Sequence, residues 1–128
     1  TARSRGLGDV YKRQDEHVSR EIVYETTATA PPEELHRFFL ACREDGFQPA
    51  RRRLRELLDR FGLAGTDLVN QLHRGLGDVP FLTEGQKLSV TQTMAEADFR
   101  MVEGGGEALQ LDAMTARLCT LLSPEMKS

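Results

Sequence analysis

The chain has no tryptophan, only two cysteines and three histidines, and no long uninterrupted apolar run, and each scarcity removes a class of protein. Cys42 and Cys119 lie far apart among apolar residues and belong to no CxxC or His-linked spacing. They read as reduced core thiols of an intracellular protein rather than as a disulfide framework or a metal site. Nothing approaches the roughly 18 consecutive apolar residues of a membrane span, and no secretory apolar core stands near the N-terminus. The expected location is the cytoplasm. Also missing are a GxxxxGK[ST] loop, an HExxH pair, a GxSxG elbow and any Ser or Cys with a base beside it. His73 is a lone imidazole without a second ligand at i+4, and the pairs Glu33-Glu34 and Glu44-Asp45 fall at helix ends, where the helix dipole and solvation account for them. The expectation is therefore no catalytic, cofactor-binding or metal site in these residues.

What is present is helical. With 39% hydrophobic and 29% charged residues over 128 positions, the composition suits a soluble, Leu- and Ala-rich domain with a buried core. The formal net charge of −3 gives the whole chain no electrostatic reason to coat nucleic acid or an anionic membrane. Residues 1–14 stand apart: they carry Arg3, Arg5, Lys12 and Arg13 against the single Asp9, with no apolar period. They resemble the peptide obtained when sequencing-adapter DNA is translated in frame, and are read as a non-native, disordered scar, with a basic N-terminal arm as the alternative. Setting them aside takes the net charge from −3 to −6.

A short helix is expected within residues 15–28, with Ser19 as N-cap and Val18 and Val23 at the spacing of a hydrophobic staple. The prolines after T-A-T-A end it, so it reads as the last helix of a truncated preceding domain. Five further amphipathic helices follow over residues 29–122, with a tail at 123–128. Pro31-Pro32 opens the first, whose buried face is Leu35, Phe38, Phe39 and Cys42, and Gly46 ends it. The second, Gln48 to Phe61, places Ala50, Leu54, Leu57, Leu58 and Phe61 on one face and stops at Gly62. Its other face holds Arg51, Arg52, Arg53 and Arg55. The third, Gly65 to Gly75, buries Leu68, Val69 and Leu72, with Leu76 just beyond. Thr83 caps a long fourth helix running to Glu103, for which Leu88, Thr91, Ala95, Phe99 and Val102 form the expected core seam and Met94 and Met101 a second line of contact. After Gly104-Gly105-Gly106 the fifth runs to Leu122, with Leu111, Met114 or Thr115 and Leu118 apolar. The glycines act as a hinge folding these two helices back on each other.

The stretches A-E-A-D-F-R-M-V-E-G-G-G-E-A-L-Q-L-D-A-M-T-A-R-L, S-R-E-I-V-Y-E-T-T-A and F-G-L-A-G-T-D-L-V-N-Q-L-H-R together resemble the C-terminal part of the archaeal-type replication factor C small subunit, a clamp loader of the AAA+ class. They span about Val18 to Leu122 in the family's order. The resemblance implies an all-α, five-helix collar domain preceded by one helix of the lid domain. It implies a role in holding clamp loader subunits in a ring, within a protein that loads the sliding clamp onto primed DNA with ATP and Mg bound in an N-terminal ATPase domain. No such residues occur here, so this chain is expected to be a C-terminal fragment, not itself an enzyme, from a cytoplasmic, nucleoid-associated complex. Its expected partners are the other loader subunits, with the sliding clamp and primed DNA contacted through domains outside this chain. Two departures from the family pattern stand out. Ala64 replaces a capping serine, which would shift the third helix start to Thr66. Gly75 and Gly77 interrupt a stretch usually helical, so that region is expected to be less ordered.

Arg51 and Arg55, with Asp98, Arg100, Glu103 and Gln110 around the hairpin, are the candidates for lateral subunit contacts, intramolecular helix pairing being the alternative. A second functional reading makes the Arg51–Arg55 face an independent nucleic-acid-binding surface. Against it, no aromatic side chain is interleaved for base stacking, and the arginines form one short patch.

Overall fold

The computed structural model describes residues 28–124, so the expectations for residues 1–14, for the short helix before residue 28 and for residues 125–128 lie outside the described residues. The five expected helices are present: α1 (Pro32–Glu44), α2 (Phe47–Phe61), α3 (Gly65–Gly75), α4 (Glu84–Val102) and α5 (Glu107–Leu122). No strand occurs among the described residues.

Local chemistry sets most of the boundaries. Pro32 occupies the first turn of α1 with Glu33 and Glu34 beside it, where an amide without a partner costs nothing and the helix dipole favours negative charge. Gly62 closes α2 in the left-handed conformation (φ 63°), its N–H donating to Leu58 O. Thr83 caps α4 reciprocally. The Gln86 amide donates to Thr83 Oγ1 (3.1 Å), and the Thr83 amide donates to Gln86 Oε1 (2.9 Å), which satisfies two donors that the helix leaves open. Between α4 and α5, Gly104 sits at φ +105°, and the next amide, Gly105 N–H, donates to Arg100 O at 2.7 Å. The glycine turn closes the hairpin as a hinge should.

α5 is the axis of the bundle, packing against each of the other four helices. Leu111, Met114, Leu118 and Leu122 form its buried stripe, meeting Phe38 and Phe39 of α1, Leu54 and Leu57 of α2, and Leu68 and Leu72 of α3 in one core. Thr115 is fully buried, and its hydroxyl donates to Leu111 O at 2.8 Å, so burial leaves no donor unpaired. Gln71 of α3 is a second buried polar group. Its Nε2 donates to Ala28 O (3.1 Å) and its Oε1 accepts from Ala30 N–H (2.9 Å), fastening the chain segment that leads into α1.

Three expectations need correction. First, α4 is buried through Val90, Met94 and Ala97, whereas Leu88, Phe99 and Val102 of the expected seam are 67%, 63% and 68% exposed, and Ala95 is exposed too. Both sets recur at helical spacing and lie on opposite sides of one helix, so periodicity could not choose between them. Second, α3 starts at Gly65 rather than Thr66 despite the Ala64 position before it, because a carboxylate from another helix takes over the cap. Third, the Gly75–Gly77 region forms a 3₁₀ turn, Leu76–Asp78, with Val79 N–H donating to Leu76 O (3.2 Å) and Lys87 Nζ donating to Gly77 O (2.9 Å). Burial of Leu76 and Val79 in the core holds that turn in place.

Candidate interaction surface

The basic face of α2 is divided between two carboxylates. Arg51 and Arg55 lie one turn apart and point to α5, where Asp112 receives both: Arg51 Nε at 3.1 Å from Oδ2, and an Arg55 terminal nitrogen at 3.1 Å from Oδ2 and 3.2 Å from Oδ1. Arg53 and Arg60, on the side facing α1, lie 3.8 Å from the carboxylate of Glu34, and Arg37 lies 3.6 Å from it. These are partly exposed pairs, each of modest energetic weight. Their consequence is geometric. Of the arginines proposed as a nucleic-acid face, Arg51, Arg53 and Arg55 are engaged inside the bundle, and Arg52 is left exposed beside Glu56 and Asp59.

The larger surface feature is apolar. Leu88, Ala95, Phe99 and Val102 share the outward side of α4, with Thr91 and Gln92 between the first two, and Leu109 at the start of α5 is 69% exposed. Exposed apolar residues of this kind scattered singly are ordinary, but several of them on one helix face make that face the candidate interaction site. Charge flanks it. Arg100 pairs with Glu96 at 2.7 Å on the exposed side of α4, Asp98 is half-buried, and Glu103 is exposed at the C-cap.

The remaining candidate, Gln110, packs its side chain against the Gly105 turn and lines a groove of about 500 Å³ between α4 and α5, together with Gln92, Glu96, Arg100 and Arg117. The structure therefore brings Arg100 and Gln110 to one groove, leaves Asp98 and Glu103 elsewhere on the hairpin rim, and assigns Arg51 and Arg55 to an intramolecular contact. Sequence reasoning missed the apolar stripe as a surface because its spacing is that of a core seam. Among the described residues, no group of three or more His, Cys, Asp or Glu side chains could hold a metal ion, and no helix is long and apolar enough to cross a membrane.

Comparison with known proteins places the chain in a family. Residues 30–117 match the family model described as the replication factor C C-terminal domain. The replication factor C small subunit of Methanosarcina acetivorans is 37% identical over 109 residues, covering 80% of this chain and 32% of that protein. That of Archaeoglobus fulgidus is 37% identical over 106 residues (83% of this chain, 33% of the relative). The small subunit of Natronomonas pharaonis is 38% identical over 101 residues (79% and 31%). The chain spans about a third of the length of the curated relatives it matches.

Proposed function

Because this chain belongs to the replication factor C C-terminal domain family, we propose that its five-helix bundle is the collar through which a replication factor C small subunit grips neighbouring subunits of the loader. The relatives are named as subunits, which makes another subunit the natural occupant of a face left without a partner among the described residues. The observation that carries the reading is the outward stripe Leu88, Ala95, Phe99 and Val102 on α4. Complete burial of a large apolar side chain is worth about 1.5–3 kcal/mol. Three such side chains, each about two-thirds exposed in the isolated domain, leave several kcal/mol available to association.

In the full-length protein the collar would keep the ring assembled while an ATPase domain, binding ATP and Mg, drives opening of the sliding clamp and its placement on primed DNA. The collar itself would turn over no nucleotide and make no direct duplex contact, working in the cytoplasm at the nucleoid. The Arg51 and Arg55 pairing with Asp112 supports a collar over a nucleic-acid-binding module, since the guanidiniums that would meet phosphates already have a carboxylate partner.

Sedimentation velocity tests the proposal, using the 128-residue chain alone and mixed with the intact Archaeoglobus fulgidus small subunit. The expected result is a mixed complex that is lost with Phe99→Glu and Val102→Glu while the far-ultraviolet circular dichroism stays unchanged. Failure to associate, or association indifferent to both substitutions, would contradict it.

A further inference from the structure

Cys42 near the end of α1 and Cys119 near the end of α5 are separated by most of the domain in sequence, yet α1 packs on α5 and brings both thiols to the lining of one groove. Cys42 is buried. Cys119 is half-buried, which corrects the expectation of two core thiols. Both line one groove of about 490 Å³ that opens between the ends of these helices, bordered by Arg43, Asp45, Thr120 and Ser123. A small solute can therefore reach Cys119, and the more deeply buried Cys42 lines the same groove.

The geometry points to Cys42 and Cys119 as an oxidisable dithiol, a modification site at which a peroxide-class oxidant forms an intramolecular disulfide that ties α1 to α5. This goes beyond subunit assembly and stands independently of it. The electronic asymmetry of the pair fits such a role. Hydrogen bonding with Cys42 favours the Cys119 thiolate and lowers its pKa against the opposing effect of its partial burial. The same hydrogen bond, with burial, pushes the Cys42 thiol up. The accessible sulfur is thus the one that carries thiolate character, as attack on a peroxide requires.

The chemistry balances in two steps. The Cys119 thiolate attacks one peroxide oxygen, an S–O bond forms, the O–O bond breaks, and hydroxide leaves as water after taking up a proton. The Cys42 sulfur then attacks the Cys119 sulfenic acid, the S–S bond forms, the S–O bond breaks, and a second water departs with the Cys42 proton. Two thiols are oxidised by two electrons and one hydrogen peroxide is reduced to two waters. A thiol reductant reverses the bond by exchange.

The test uses the full chain, treated with a small excess of hydrogen peroxide under native conditions, blocked with N-ethylmaleimide and digested with trypsin. The expected result is simultaneous loss of both free thiols, a mass lower by two hydrogens, and a linked species joining peptides 38–43 and 118–127 that dithiothreitol dissolves. In Cys119→Ser, Cys42 should remain reduced at the same peroxide dose. Conversion of Cys119 to sulfinic acid with Cys42 still free would overturn the proposal. So would disulfide-linked dimers through Cys119, or a linked pair forming as fast in urea as in the native state.

Discussion

The backbone N–H of Gly65, the first residue of α3, donates to the Glu107 carboxylate at 3.1 Å, and Glu107 is itself the first residue of α5. One side chain thus serves two helix starts. It places negative charge in the first turn of its own helix and accepts an open donor of α3, whose N-cap position, Ala64, has no side-chain acceptor. Asp67 supplies the other half of the cap, its Oδ2 accepting from Ala64 N–H at 3.3 Å. Gly65 is what permits the approach, since a Cβ there would lie 2.8 Å from the Glu107 Cγ.

Glu107→Ala should therefore destabilise the domain by about 1 kcal/mol, the cost of losing a helix cap. Ala64→Ser should add stability of its own, because a hydroxyl at the N-cap accepts from the second or third amide of α3, Thr66 or Asp67, and leaves Gly65 N–H to Glu107. Urea denaturation of the two single variants and the double variant checks this, and the two effects should add, since the two acceptors serve different amides; a large interaction term in that cycle would contradict it.

The two apolar faces of α4 should differ sharply. Met94→Ala, in the core, should cost about 2–5 kcal/mol, whereas Phe99→Ala should change stability by no more than about 0.5 kcal/mol, as an exposed substitution does. Thermal or urea unfolding distinguishes them. The reverse ranking would restore the seam that periodicity alone suggests.

That seam marks where sequence legibility ended. The Thr83–Gln86 cap, the prolines of α1, the left-handed Gly62 and the Gly104 hinge are local devices, readable within a few residues, and they fix the five helices and the all-α fold. Which face of α4 turns inward is decided by what packs on it. Small Ala97 lies in the line that α5 covers, while bulky Phe99, the stronger hydrophobic signal in sequence, points away. The Gly65–Glu107 cap, the Gln71 clamp and the groove shared by Cys42 and Cys119 join residues more than forty positions apart. No spacing rule reaches that far. Arg51 and Arg55 were readable as a patch, but their shared partner Asp112 lies on another helix.

Asp112→Asn should remove the charge that occupies Arg51 and Arg55. The pairs are partly exposed, at 34% and 44% for the arginines and 26% for Asp112, so the expected stability loss is at most about 1 kcal/mol. Salt-dependent binding of a fluorescent DNA duplex should rise in the variant while the unmodified chain shows none at moderate salt. Tight duplex binding by the unmodified chain, abolished by Arg51→Glu and Arg55→Glu, would favour the nucleic-acid reading instead.

Cys119 should alkylate with iodoacetamide at lower pH than an ordinary thiol, because hydrogen bonding with Cys42 favours its thiolate. Cys42→Ala deletes that partner, so the Cys119 titration should move to higher pH. A rate-against-pH profile read by mass spectrometry gives both midpoints, and an unmoved midpoint would show that Cys42 does not set the reactivity of its neighbour.

Site-specific photo-crosslinking reads the docking face directly. With a benzoylphenylalanine at position 99 and, separately, at position 52 of the 128-residue chain, irradiation in the presence of the intact Archaeoglobus fulgidus small subunit should yield a covalent heterodimer from position 99 and little or none from position 52. Efficient crosslinking from position 52 with none from position 99 would contradict the assignment of the outward face of α4 as the subunit contact.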